Sequence, residues 1–222
     1  NPSTEAGIKA LLYQGCQKIL LAPLYPQYSA PTTATANDKA FDALKKLRWQ
    51  PAIRTLPAYF DTPEYIAALA TSIQEGVAKL DFTPDLIITS YHGMPKAYLD
   101  AGDPYHCQCH KTTRLVREYL GWPEGKLIAT FQSRFGPDEW LQPYTDETLE
   151  SLPAKGIRRV AIASPAFAAD CIETLEELAI TGREQFEHAG GESYAYIPCL
   201  NDSDIGMDML EAVIRRELMG WI

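Results

Sequence analysis

No stretch of the sequence approaches the roughly 18 consecutive apolar residues that a membrane-crossing helix needs, so none is expected. Clusters of positive charge are missing as well. The 20 Lys and Arg are scattered among 29 Asp and Glu, the formal net charge is -9, and a phosphate-tracking surface for nucleic acid is excluded on that ground. No GxGxxG follows a strand-like run and no Walker-type loop occurs, which removes two common ways of cradling a nucleotide. There is no repeat of solenoid length and no low-complexity tract. Cysteine is too sparse and odd in number for a disulfide framework: Cys16, Cys107, Cys109, Cys171 and Cys199 follow no signal peptide, which points to a reducing cytoplasm.

What is present is an ordinary globular composition, 222 residues of which 46% are hydrophobic and 22% charged, enough to bury one large or two small cores. The chain opens on a helix, PSTEAGIKALLYQG, with Ser3 or Thr4 as cap and Gly15 as stop. An α/β domain seldom starts on a helix with no strand to cover, so a preceding segment is expected. Periodicity and punctuation then predict strands at 18–24, 52–56, 86–91, 126–131, 158–164 and 193–198. They alternate with helices at 37–47, 62–80, 109–120, 145–155, 171–188 and 203–219. Such alternation means an α/β fold, with parallel sheets covered by helices on both faces. DFTPD, 81–85, is the best boundary between two doubly wound units, the first of them incomplete at its start.

Ligands in folds of this kind bind beyond the carboxyl ends of the strands. The segments that fall there are LYPQYSAPTT, AYFDTP, YHGMP, FQSRFG and SPAFAAD, rich in aromatics and poor in charge, which suits a large, flat, mostly apolar ligand. His92 stands directly after a strand, before a glycine that leaves its ring little covered; it reads either as a histidine bonded to backbone or as a base and metal ligand. Glu173 has two readings as well. DCIE, 170–173, fits a capping box, with Asp170 as cap and the glutamate three residues on. Alternatively Glu173, Glu177 and Glu184 share a face at the 3.6 period, with Glu176 adjoining, as an acidic row for a divalent cation. Tyr25, Tyr28, Tyr59, Trp140 and Phe167 lie on the same loops, as core aromatics or as pocket walls. HCQCH, 106–110, offers two thiols and two imidazoles, but a helix beginning near Cys109 would point His106 and His110 apart, and no second C-x-C completes a closed site.

Taken together, LAPLYPQYSAPTTAT (21–35), SYHGMPKAYLDAGDPY (90–105), TFQSRFGPDEWLQPYTDETL (130–149) and SPAFAADCIETLEELA (164–179) resemble the ferrochelatases, most closely the proteobacterial ones. The resemblance covers nearly the whole chain. It implies two Rossmann-like domains, here residues 1–83 with 203–222 and residues 84–202, with a porphyrin in the cleft between them. It implies insertion of ferrous iron into protoporphyrin IX with release of two protons, in haem biosynthesis. His92 and Glu173 match the family's histidine and the glutamate of its D-x-x-E-T-L motif, as catalytic and metal-contacting residues, with Glu177 a further metal contact. Tyr25, Tyr28, Tyr59, Trp140 and Phe167 are then expected around the macrocycle. No soluble cofactor is required, since iron is a substrate, and no iron–sulfur cluster is expected because Ala30 stands where animal members place a cysteine ligand. The family's Arg-Tyr pair before Asn1 is absent, and Thr181 replaces an outer acidic position found in some members. A chelatase for coproporphyrin or for a cobalt or sirohydrochlorin substrate, and a non-catalytic porphyrin-binding fragment, are the alternatives. Oligomeric state and peripheral membrane contact are left open.

Overall fold

β3, Leu86–His92, reads LIITSYH, and every residue but the last is buried. A strand without polar alternation needs cover on both faces, and β3 has it as an interior strand of a parallel sheet. In a computed structural model describing residues 2–222, the sheet runs in the order β4, β3, β5, β6, with β4 at Leu127–Gln132, β5 at Arg159–Ala163 and β6 at Ser193–Ile197. The chain leaves β3 towards β4 on one side and then crosses back to β5 on the other. That reversal opens a crevice at the carboxyl ends of β3 and β5, the place where doubly wound sheets bind ligands.

A second sheet pairs β1, Lys18–Leu21, with β2, Ala52–Thr55, in parallel. α1, Thr4–Tyr13, is capped by Ser3, whose hydroxyl accepts from the Ala6 N–H at 3.2 Å. α2, Thr35–Lys45, buries Ala40, Ala43 and Leu44 at helical spacing, and these pack with Ile8 and Ile19 into a local core. Between the strand and helix expected at 18–24 and 37–47, Ala30–Ala34 forms a π-helical turn running directly into α2.

The largest core joins the two halves of the chain. α3, Pro63–Ala78, turns Tyr65, Ile66, Leu69, Ala70 and Ile73 onto Ile87, Ala161, Ala163, Ala195 and Ile197 of the larger sheet. Alanines on both sides let the helix come close, and at Gly76 an added Cβ would lie 2.8 Å from Ile197 Cγ2. α9, Asp204–Glu217, adds Met209 and Val213 to this core. Its carboxyl end is held by the smaller sheet. The Arg54 guanidinium donates to the carbonyls of Glu217 and Met219 at 2.6 and 2.9 Å and lies 4.2 Å from the Trp221 ring centre, while Arg216 pairs with Glu64. The last helix thus returns to the first part of the chain.

Three helices differ from the sequence reading, the one expected at 145–155 ending at Ser151 before a 3-10 turn, Pro153–Lys155. The one expected at 109–120 is α5, Tyr105–Tyr119, preceded by a short α4, Lys96–Asp100; Asp103 starts it by accepting from the Tyr105 N–H at 3.0 Å. The one expected at 171–188 is three pieces: α7, Ile172–Leu175, a π-helix at Glu177–Gly182, and α8, Arg183–His188. α6, Thr145–Ser151, links β4 to β5. Among the described residues no helix is long and apolar enough to cross a membrane.

Candidate active site

At the carboxyl end of β3 the imidazole of His92 makes a 2.6 Å contact from Nδ1 to the carbonyl oxygen of Gly93. A carbonyl only accepts, so Nδ1 carries a proton, and in the neutral ring Nε2 keeps its lone pair. One nitrogen is thus bonded to backbone, and the other has no hydrogen-bond partner among the described residues. The half-buried ring lines a cleft of about 840 Å³. The next residue is glycine for a steric reason. A Cβ at Gly93 would meet the Gln132 carbonyl at 2.7 Å and Trp140 Cε3 at 3.1 Å, so only a bare backbone lets the chain turn there.

Glu173 reaches the same cleft from α7. It is not part of the cap. Cys171 is the N-cap, and its backbone N–H donates to Thr174 Oγ1 at 3.0 Å, so the box closes between Cys171 and Thr174. Asp170, expected as the cap, instead accepts from Tyr196 Oη, Asn201 Nδ2 and Thr174 Oγ1 at 2.6, 2.7 and 3.1 Å, which ties the start of α7 to the sheet. Relieved of capping, the Glu173 carboxylate accepts from Cys171 Sγ at 2.8 Å. That bond, helped by the nearby His92, holds its carboxyl below the usual range.

Gln132, at the end of β4, fixes this segment from beneath. Its Nε2 donates to the Glu173 carbonyl at 2.8 Å, and its Oε1 accepts from Ser90 Oγ at the same distance. Neither Gln132 nor Cys171 was singled out from the sequence, although FQSRFG and the D-C-I-E run both lie at strand ends; a buried amide gives no periodic signal.

The acidic row is altered by the π-helix. Its wider turn moves the face on by one residue, so Glu177, Thr181 and Gln185 line a neighbouring cleft of about 240 Å³, and Glu184 is exposed off that face. Glu177 lies outside the lining of the large cleft and accepts from Ser133 Oγ at 2.5 Å. Glu176 is exposed and bonds Thr181.

Of the expected aromatic walls, Tyr25, Trp140 and Phe167 line the large cleft, joined by Tyr98, Tyr105 and Phe135. Trp140 is buried, tilted against Phe135 at 4.8 Å, and its Nε1 has no partner among the described residues. Tyr59 and Tyr28 do not line it. The loop after β2 folds inward, the Tyr59 ring meets Tyr65 edge-on at 5.5 Å, and Tyr59 borders a small interior cavity of about 20 Å³ instead. Tyr28 is held in the loop wall by its backbone N–H, which donates to Gln108 Oε1 at 2.7 Å. Among the described residues no Lys or Arg lines the large cleft, and its carboxylates are Asp138 and Glu173.

The sequence profile of the ferrochelatases matches residues 1–218. The chain belongs to the ferrochelatase family. Proteins named ferrochelatase from Allorhizobium ampelinum and Rhizobium meliloti are 61% and 60% identical over 221 residues, which is 100% of this chain but 64% and 65% of theirs. The chain thus spans less than two thirds of the length of these family members. Among solved structures, SirB from Bacillus subtilis with Fe3+ superposes with a TM-score of 0.70 at 14% identity, covering 98% of this chain and 78% of that one. The sirohydrochlorin chelatase SirB with cobalt, from a Bacillus subtilis subspecies, gives 0.66 at 11%. These likenesses show the fold, that of the chelatases.

Proposed function

We propose that this chain carries the metal-inserting centre of a ferrochelatase, and that the full-length protein inserts Fe²⁺ into protoporphyrin IX with release of two protons. One observation carries the reading: the imidazole of His92, tied to backbone through Nδ1 alone, and the carboxylate of Glu173, held below its usual pKa, belong to one aromatic cleft of about 840 Å³, within the size range of ligand sites.

A free-base porphyrin holds two N–H protons at its centre, and the metal enters as they leave. His92 Nε2 accepts a proton or briefly holds the ion, since a neutral imidazole is both a near-neutral base and a borderline ligand. The charge that develops on the ring is offset by Glu173, which receives the proton onward. Glu177, beyond Gln132, offers the next carboxylate for protons leaving or iron arriving. The nitrogen lone pairs of a flat macrocycle lie in its plane, so walls that favour a puckered ring favour the transition state over the substrate. Trp140 is suited to this role because it is buried and braced by Phe135. The lack of cationic side chains suits a flat apolar ring and an incoming cation better than a nucleotide.

No further cofactor is part of this scheme. The five cysteines are unpaired, which supports a reducing compartment such as the cytoplasm. The deciding experiment uses the full-length protein. His92→Ala is expected to abolish iron insertion while porphyrin still binds, seen by its fluorescence; retained insertion removes His92 from the mechanism. Parallel assays with protoporphyrin IX and coproporphyrin identify the substrate, and a preference for the latter would overturn that assignment.

A further inference from the structure

α5 begins at Tyr105, four residues before Cys109, and this changes what HCQCH can do. One helical turn separates His106 from His110, so the two rings project from the same face. Their Nε2 atoms are 3.1 Å apart and their ring centres 4.5 Å. Both rings rest on Phe131: His106 stacks at 5.5 Å with planes 19° apart, and His110 meets it at 5.9 Å. Phe131 is buried in β4, so the floor under the pair belongs to the sheet.

We infer that His106 and His110 form a bidentate site for a borderline divalent transition-metal ion, separate from the insertion cleft. Imidazole nitrogens bind such ions at about 2.0–2.1 Å, so two of them 3.1 Å apart subtend about 100° at a shared ion, between the octahedral and tetrahedral angles. The present contact is a hydrogen bond between neutral rings, one Nε2 donating and the other accepting. Metal binding moves the donor's proton to its own Nδ1 and swings both lone pairs onto the ion, with no net loss of protons. Zn²⁺, Ni²⁺ and Cu²⁺ suit the donor set, and hard cations such as Mg²⁺ or Ca²⁺ do not.

The thiols of the same motif stay out of it. Cys109 is buried on the side of the helix that faces the sheet, and Cys107, exposed, lies about 100° around the axis from His106. No group of three or more potential ligands converges among the described residues, so water completes the shell and the ion exchanges freely. Neither histidine lines the large cleft, although Tyr105 beside them does. An ion here braces the first turns of α5, where Gln108 supports the Tyr28 backbone.

The test is Ni²⁺ titration of the full-length protein by calorimetry, with His92 intact throughout, so that any ion bound in the cleft is common to all samples. The wild type is expected to bind one ion more than either H106Q or H110Q, each of which weakens that event at least tenfold, while C107S binds as wild type. Because His110 is exposed, H110Q is expected to keep its circular dichroism spectrum. Cu²⁺ added to the wild type gives electron paramagnetic resonance couplings from two imidazole nitrogens at this site, reduced to one or none in H110Q. The inference is overturned if H110Q retains the wild-type stoichiometry and affinity, if the two variants lose independent and additive halves of the binding, or if C107S abolishes it.

Discussion

Cys171 Sγ donates to Glu173 Oε2 across 2.8 Å, and this one bond does most to keep the Glu173 carboxyl ionised. Removing the thiol in Cys171→Ala is expected to raise the Glu173 pKa, because the donor favours the charged form. Less carboxylate is then present under mildly acidic conditions, so the acid limb of the pH–rate profile for iron insertion by the full-length protein moves to higher pH. A hydrogen bond of about 1 kcal/mol corresponds to a several-fold loss of rate on that limb. Cys171→Ser, which keeps a donor, restores the wild-type profile; identical profiles for all three proteins would show that the contact is without consequence.

Gly93 is wedged between Gln132 and Trp140, and Gly93→Ala must displace one of them. The Gln132 carbonyl is backbone and cannot yield, so a destabilisation of about 1–3 kcal/mol is expected, read as a lower urea midpoint. The indole and the His92 ring shift with it. Porphyrin affinity should fall in the same variant, and an unchanged midpoint would mean that the turn relaxes freely.

Asp170 is half-buried, which by itself would raise its pKa, but donors from Asn201, Tyr196 and Cys199 outweigh burial and lower it. A carboxyl whose folded pKa is depressed contributes stability that is present above its unfolded value, near 3.9, and lost as pH falls through the folded value. Acid unfolding of the wild type should therefore include this group. In Asp170→Asn stability at pH 7 drops by about 2–4 kcal/mol, because an amide nitrogen faces donors that need an acceptor, and its decline as pH falls below about 4 becomes shallower. Parallel declines in the two proteins would assign acid unfolding to other groups.

Three of the five thiols should react in a set order. Cys107 is exposed, whereas burial pushes the Cys109 thiol well above its ordinary value and lifts Cys199 to about 12. With Ellman's reagent at pH 8, Cys107 is expected to react first and Cys109 and Cys199 only on unfolding. Peptide mapping after brief labelling checks the order, and early modification of Cys199 would contradict its burial against Tyr196.

Much of the architecture is legible in local patterns. The continuous apolar run of β3 marks an interior parallel strand, Ser3 and Gly15 punctuate α1, and SYHGMP marks a strand end in the crevice. Misreadings arose where a partner distant in sequence sets the geometry. Glu173 reads as a cap because its competitor Thr174 is also three residues from a plausible N-cap, and only the network pulling Asp170 towards Asn201 and Tyr196 decides between them. Tyr59 reads as a pocket wall because it follows a strand, but Tyr65 offers it a buried edge-to-face contact and the loop turns inward.

The amino-acid order by itself determined the alternation of strands and helices, the family, and the residues that meet at the strand ends, because burial periodicity and turn chemistry act over a few neighbours. Only the tertiary structure decided the backbone contact of His92 Nδ1, the break of the acidic row at the π-helix, and the meeting of His106 with His110 over Phe131. Each of these depends on where a carbonyl, an amide or a ring from another element comes to rest, and that position is set by packing of the whole core.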